Sequence, residues 1–308
     1  MSITHVLMVK KIGLGFNNAS KAFIIGWNNI AFRIIDKNIL LPEYLYMIVC
    51  REEWDRSACF RSWGSSTEVF SWSELCKMEI SLPSISIQRE LVNTYNGLKS
   101  LADDNDALIA PLTQACEALV VDCKRKYDEV ELGEYIESCD ERNSEGKYTE
   151  QDCVGVNINK ELNIMRGTLE SKKLELFKMV SPCLFVYNPR GSRKLGLGFN
   201  NTKRTFITTF NNITFKVSGK KLLDEFLYTL LSRKEFDRNA EFRSWGSSTE
   251  VFSWSELCRV KIPLPPPDVQ QSIVNLYHCI EEAKRIAAEA RVQMRTLCPA
   301  LIQKAIHS

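Results

Sequence analysis

The sequence predicts an α+β protein: two mixed α/β globular domains, each followed by a long helix, with the two helices pairing as an antiparallel coiled coil. Three observations lead there. Seventeen consecutive residues occur twice, as Phe60–Cys76 and Phe242–Cys258, both reading FRSWGSSTEVFSWSELC at an offset of 182. After each copy, a proline-marked boundary opens a stretch whose apolar residues alternate at spacings of three and four. Before each copy lie short runs rich in Phe, Ile and Thr, the pattern of strands.

Length and composition fit this plan. The 308 residues suit about two domains. A hydrophobic share of 44% and a charged share of 25% exclude a disordered, collagen-like or membrane-spanning chain. No apolar stretch approaches the ~20 residues of a bilayer span. Met1 to Val9, followed by Lys10 and Lys11, lacks the basic start and cleavage site of an export signal. A cytoplasmic location with no membrane partner is the expectation. The eleven cysteines contain no Cys-x-x-Cys pair, and His5, His278 and His307 are scattered. Neither a metal site nor a disulfide framework is expected, and the thiols should be reduced and mostly buried.

The elements follow in order. Ala22–Ile25 and Asn29–Ile35 read as strands, as do Thr205–Thr208 and Asn212–Val217. Pro42–Val49 and Asp224–Leu231 read as helices with one apolar face. The Trp-Gly-Ser-Ser stretches should be turns, each leading into a helix capped at Ser71 or Ser253 with Glu three residues on, a capping-box spacing. The second long helix carries a seam of Ile273, Leu276, Ile280, Ala283, Ala287, Ala290, Met294, Leu297 and Leu301. Subtracting 182 gives the first: Leu91, Thr94, Leu98, Leu101, Asn105, Leu108, Leu112, Ala115 and Leu119. Asn105 is a register-setting polar residue within it, and Pro111 should kink it. Each helix should be about 50 Å long at ~1.5 Å per residue.

The domains expected are 1–83, a first domain that lacks its front end; 84–128, the first long helix; 129–265, a complete second domain; and 266–308, the second long helix. Met1 aligns roughly with Leu184, leaving the first domain without a counterpart of Leu132 to about Cys183. A start internal to a longer reading frame is the alternative.

The net charge of +2 says little, but its distribution is uneven. Glu134 to Glu170 holds nine acidic and four basic residues, whereas Ser171 to Lys221 holds eleven basic residues and one acid, Glu175. The basic run, including Arg190, Arg193, Lys194, Lys203 and Arg204, is a candidate footprint for a polyanion, against the simpler reading of a solvated face. Nucleotide-binding, metalloprotease and serine-hydrolase motifs are missing, so no catalytic residue is assigned. Arg61, Ser62, Ser65 and Ser66, and their repeats Arg243, Ser244, Ser247 and Ser248, suit phosphate or guanine, since arginine forks onto both and small hydroxyls accompany backbone amides. Core packing is the expectation for the tryptophans between them.

The order of parts resembles the DNA-specificity subunit of type I restriction–modification enzymes. The residues that carry the resemblance are Gln88-Arg89-Glu90-Leu91-Val92 and Gln270-Gln271-Ser272-Ile273-Val274 after a Leu-Pro boundary, Leu132-Gly133-Glu134-Tyr135, Phe185-Val186-Tyr187-Asn188-Pro189-Arg190, and Ser253-Trp254-Ser255-Glu256-Leu257 leading to Ile262-Pro263-Leu264-Pro265. The resemblance spans nearly the whole chain. It implies two target-recognition domains that read a bipartite site in double-stranded DNA, adding Asn188 to the candidate contacts. It implies that the helices, through Leu91, Leu98, Leu101, Asn105, Leu108, Leu112, Ile273, Leu276, Ile280, Met294 and Leu297, form a spacer that holds two methylation subunits and, through the complex, restriction subunits. It implies a non-catalytic chain that binds no cofactor, with S-adenosylmethionine, ATP and Mg2+ used by the partners. An inactive specificity protein acting as a helical scaffold, and a free-standing enzyme on nucleic acid, are the other classes left open.

Overall fold

The computed structural model describes residues 13–17, 21–26, 29–63, 69–165, 173–190, 194–245 and 250–307, the last eleven of these as backbone. The chain divides into two compact units: Met1–Leu108 with Glu282–Ser308, and Ile109–Glu281.

The first unit is built from helices. α1 (Pro42–Val49) starts with proline at its first position, where the missing N–H would have no partner anyway. α2 (Glu52–Phe60) and α3 (Trp72–Leu75) follow, and then α4 (Ile85–Lys126), which runs through Pro111. Tyr44, Met47, Ile48 and Trp54 close on Leu91 and Val92 to make the core. One buried side chain ties this core to the start of α4. The Gln88 carboxamide accepts from the Leu41 amide at 2.9 Å and donates to the Ile39 and Pro83 carbonyls at 2.9 and 2.8 Å.

The second unit holds the sheets. β1 (Glu129–Glu131), β2 (Ile136–Cys139), β3 (Val154–Val156), β4 (Leu162–Ile164), β5 (Lys178–Val180), β6 (Phe185–Tyr187), β7 (Leu197–Phe199), β8 (Phe206–Thr208) and β9 (Ile213–Val217) precede α5 (Asp224–Leu231), α6 (Lys234–Arg243), α7 (Trp254–Cys258), β10 (Lys261–Pro263) and α8 (Pro267–His307). A four-stranded antiparallel sheet has the order β2-β9-β6-β7; β1 pairs with β10, β3 with β4 and β5 with β8. Phe185 stacks on Phe199 and Phe215 with ring centroids 4.5 and 4.9 Å apart. Gln270 repeats the Gln88 arrangement bond for bond, accepting from the Leu223 amide and donating to the Lys221 and Pro265 carbonyls.

Helices α1 and α5 form where the sequence expects them, as do strands β8 and β9. The first copy differs. Ala22–Ile25 and Asn29–Ile35 form no strand among the described residues, and Phe23, Ile24 and Ile35 are exposed. In the second unit β8 pairs with β5, and β9 with β2 and β6, so these strands depend on partners drawn from residues 136–187. The first copy has no equivalent of those partners among its described residues.

The long helices pack as an antiparallel pair. Asp106 pairs with Arg291 within the first unit, and Cys123 lies beside Ile273 within the second. The α8 seam is as expected: Ile273, Ile280, Ala283, Ala287 and Ala290 are buried, with Leu276 and Met294 half-buried. Leu297 and Leu301 lie outside the described side chains. The α4 seam is half corrected. Leu91 is buried, and Leu98, Asn105 and Leu112 are half-buried, but Leu101, Leu108 and Leu119 are exposed. Tyr95, Ala102, Ile109, Cys116 and Cys123 take the other line of the seam. The ends of α4 explain this. Leu91, Val92 and Tyr95 are anchored in the first core, and Cys116, Val120 and Cys123 in the second, which fixes the rotation of the helix between them. At 42 residues α4 is about 60 Å long, rather than the 50 Å expected. The cysteines also differ from expectation. Cys116, Cys123 and Cys153 are buried, but Cys50, Cys76, Cys183 and Cys279 are exposed, all as free thiols.

Two predictions follow from these contacts. Lysine at Ile280 should destabilise the protein by about 3–5 kcal/mol, as an unpaired charge in a packed seam, whereas lysine at Leu108 should change stability by under ~0.5 kcal/mol. Calorimetry on both variants checks this, and equal losses would contradict the assigned helix rotation. Gln270→Leu should cost about 3 kcal/mol, because one amide and two carbonyls lose a buried partner. Denaturant titration reads it directly.

Candidate nucleic-acid interface

The neck of the repeated loop is built the same way in both units. Trp63 and Val69 exchange two backbone hydrogen bonds at 3.2 and 2.8 Å, as do Trp245 and Val251 at 3.3 and 2.9 Å. Each pair closes the neck of a loop. Ser65, Ser66, Ser247 and Ser248, the hydroxyls expected to meet phosphate, lie outside the described residues.

The neck residues are locally engaged. The Arg61 guanidinium reaches Glu74 at 3.5 Å, and Arg243 reaches Glu256 at the same distance. Arg243 also donates to Asn239 at 2.8 Å. Ser62 and Ser244 donate back to the Ala58 and Ala240 carbonyls of the helices they terminate. Ser71 and Ser253 cap α3 and α7 by accepting from the Glu74 and Glu256 amides. The two glutamates turn to basic side chains, with Lys77 at 2.6 Å from Glu74 and Arg259 at 2.9 Å from Glu256. Lys77 and Arg61 together hold the Glu74 carboxyl below its usual pKa. A neutral glutamic acid would lose both ion pairs, so the ionised form is the one that holds Arg61 and Lys77.

Here the sequence expectation for the tryptophans is overturned. Trp63 is 65% exposed and Trp245 66%, so neither is a core anchor. The backbone bridges hold them at the neck. Beside them Phe60 and Phe242 are 92% and 91% exposed, and sequence reasoning passed them over. The available signal was their place at the head of the seventeen identical residues. Exposed aromatic pairs of this kind suit base stacking or a protein partner.

The basic run of the second unit separates into two groups. At the turn joining β6 to β7, the Asn188 carboxamide accepts from the Arg190 amide at 3.0 Å, and the Asn188 amide donates to the Gly196 carbonyl. Arg190 bridges Val251, the residue that also bridges Trp245, and Phe252 donates to the Pro189 carbonyl at 2.8 Å. The structure thus brings Asn188 and Arg190 against the repeated loop. Lys194 follows on the same turn, and Arg193 lies outside the described residues.

Lys203 and Arg204 sit at the other end of β7. There the buried Asn200 carboxamide donates to the Val180 and Arg204 carbonyls at 2.8 Å and accepts from Thr202, so that one side chain shapes the loop. Part of the local charge is matched by the acidic stretch before it. Lys178 pairs with Asp140, Lys216 with Glu137, and Arg204 with Asp152. The excess of ten positive charges counted along the sequence is therefore smaller in the folded unit. Lys160 is buried, where it pairs with Asp237 and donates to the Leu195 carbonyl. Burial pushes its pKa down. Among the described residues, no group of three or more His, Cys, Asp or Glu side chains is placed to hold a metal, and no helix is long and apolar enough to cross a membrane.

Trp63→Ala and Trp245→Ala should each change stability by less than about 1 kcal/mol, where a core tryptophan would cost about 3–5 kcal/mol. Thermal denaturation of the two variants distinguishes these cases.

No family model and no curated protein matches the sequence. Solved structures do match in fold. The S subunit of a type I restriction–modification system from M. genitalium aligns over 88% of this chain and 74% of its own, with a TM-score of 0.55 and 14% identity. The HsdS subunit from Thermoanaerobacter tengcongensis aligns over 88% and 71%, with a TM-score of 0.40 and 14% identity. The first of these likenesses is close enough to compare architecture: the present chain shares the fold of the M. genitalium S subunit.

Proposed function

We propose that this chain is a DNA-specificity subunit of a type I restriction–modification complex. It binds a bipartite site in double-stranded DNA and docks two methylation subunits and, through the complex, restriction subunits. It performs no chemistry itself. S-adenosylmethionine, ATP and Mg2+ serve the partner subunits. The observation that carries this reading is the duplicated plan, in which two copies of one unit are joined through a long antiparallel helix pair, in the fold of an S subunit.

The contacts divide the labour further. Arg61 and Arg243 are held by glutamates, and the surrounding loops are identical, so these loops suit partners that are the same at both ends. Two equal methylation subunits are such partners, with Phe60 and Phe242 as exposed anchors. Base reading then falls to segments that differ between the copies, among them the Asn188–Lys194 turn and the Lys203–Arg204 loop.

Arg190→Gln with Lys194→Gln should weaken binding of the full chain to target DNA and reduce the salt slope by about one unit per lost phosphate contact. Fluorescence anisotropy across a salt series measures both. Binding of equal strength to any duplex, with the slope unmoved by these changes, would favour a scaffold that does not read DNA. Phe60→Ser with Phe242→Ser should leave the DNA slope unchanged and weaken assembly with the methylation subunit at least tenfold.

A further inference from the structure

The loop joining β3 to β4 contains a residue that is costly on two counts. Lys160 has a backbone φ of 69°, a left-handed conformation that glycine adopts without strain. The loop demands that conformation. The Lys160 amide donates to the Asn157 carbonyl at 3.2 Å, and the Asn157 side-chain oxygen accepts from the Asn159 and Glu161 amides at 2.9 and 3.0 Å. Among the described residues Lys160 is also the only buried residue that carries a charge. Taking a charge out of water is expensive, and a buried ion pair rarely stabilises a fold more than apolar residues of similar volume would. Stability alone therefore does not account for a lysine at this place.

Its side chain reaches the far end of the turn that joins β6 to β7. The ammonium donates to the Leu195 carbonyl at 2.7 Å and pairs with Asp237 on α6. The same carboxylate accepts from the Leu195 amide at 3.2 Å. One ion pair thus holds both backbone polar groups of a single buried residue. Tyr228 of α5 fixes the lysine in turn, its hydroxyl donating to the Lys160 carbonyl at 2.6 Å. The chain beyond α6 meets the other side of the same turn. Trp245, two residues past the end of that helix, shares its partner Val251 with Arg190. The turn that carries Arg190 and Lys194 is fastened to α6 on one flank and to the loop neck after it on the other.

We infer that Lys160 and Asp237 are positioning residues for DNA reading, which act through Leu195 to set where Arg190 and Lys194 meet the bases of a duplex. This rests on the reading of the Asn188–Lys194 turn given above. Base edges are read by hydrogen bonds, which weaken steeply away from their preferred geometry, whereas binding to any duplex is governed mainly by charge. The pair itself carries no net charge. Its loss should lower discrimination between sequences and leave the affinity for DNA at large unchanged.

The test uses the full chain with Lys160→Met and Asp237→Asn combined, which leaves the net charge at +2. Methionine fills the place of the lysine, asparagine can still accept from the Leu195 amide, and the Leu195 carbonyl loses its partner. A duplex that the unaltered chain selects from a random double-stranded pool is compared with a scrambled duplex of the same length. The preference for the selected duplex should fall about tenfold. Affinity for the scrambled duplex and its salt slope should stay the same, and hydrogen exchange at Leu195 should quicken. Tyr228→Phe keeps the ring, removes the hydroxyl that holds Lys160, and should lower the preference roughly twofold to fivefold; it decides the matter if the combined variant unfolds. Gln270→Leu is the control for general destabilisation, since Gln270 bonds to Lys221, Leu223 and Pro265 and not to the turn, and it should keep the full preference. Preference retained in the combined variant and in Tyr228→Phe, or lost equally in Gln270→Leu, would overturn the inference while leaving the role of the turn intact. A chain that selects no sequence would overturn the reading of the turn, and the inference with it.

Discussion

A buried carboxamide with all three of its bonds made is the constraint from which each half of this protein is assembled. Gln88 and Gln270 are fully buried, and each ties a segment nearly fifty residues earlier, 39–41 or 221–223, to the proline turn five residues before it. A buried amide without partners costs on the order of several kcal/mol, so the surrounding backbone has few arrangements open to it. The oxygen takes the amide of the residue that begins α1 or α5, and the nitrogen holds the segment before that helix and the proline turn before α4 or α8. The angle between a globular part and the start of its own long helix is therefore set by hydrogen bonds rather than by apolar packing alone. A directional lock holds that angle more narrowly than an apolar contact would.

The same economy shapes the repeated loop. Its arginines read, in isolation, as ready contacts for guanine or phosphate. In the folded units each is drawn to a glutamate on the next short helix, whose serine cap fixes where that glutamate points. Among the described residues beside the necks, the exposed large side chains are aromatic: Phe60, Trp63, Phe242 and Trp245. Each pair sits beside a neck that a backbone bridge closes. The basic turn at Asn188–Arg190 sits beside one such neck, which puts a segment that differs between copies next to a segment that does not.

Much of this was legible from residue order, and the failures have physical causes. Pro42 and the apolar face after it place α1, and the same signals place α5. Both helices are stabilised by neighbours close in sequence. The seam of α8 was legible because isoleucine and leucine mark one stripe and alanine continues it. The seam of α4 was legible in only one of its two lines. Leucine at 101 and 108 outweighed alanine at 102 and isoleucine at 109, although the cores at the two ends of the helix decide its rotation. Burial of the tryptophans was inferred from their usual habit, and nothing in the local sequence said that the backbone would hold them outward. The candidate contacts showed residue type but not engagement. That Arg61 has a carboxylate within reach depends on a turn of thirteen residues, which no periodicity reports.

The two copies also separate local from non-local folding. Helices α1, α2 and α3 form in the first unit as α5, α6 and α7 do in the second, with the same serine caps and the same glutamine lock. Their hydrogen bonds close within a few residues, or onto the helix that follows. The strand sequences behave differently. Phe206–Thr208 and Ile213–Val217 are strands because other strands lie beside them, whereas the matching residues of the first unit leave their apolar side chains exposed. A strand makes its bonds to another segment and carries no ladder of its own, so β-propensity without a neighbour leaves only an extended, sticky chain. Among the described residues, the first unit is thus organised where its contacts are helical.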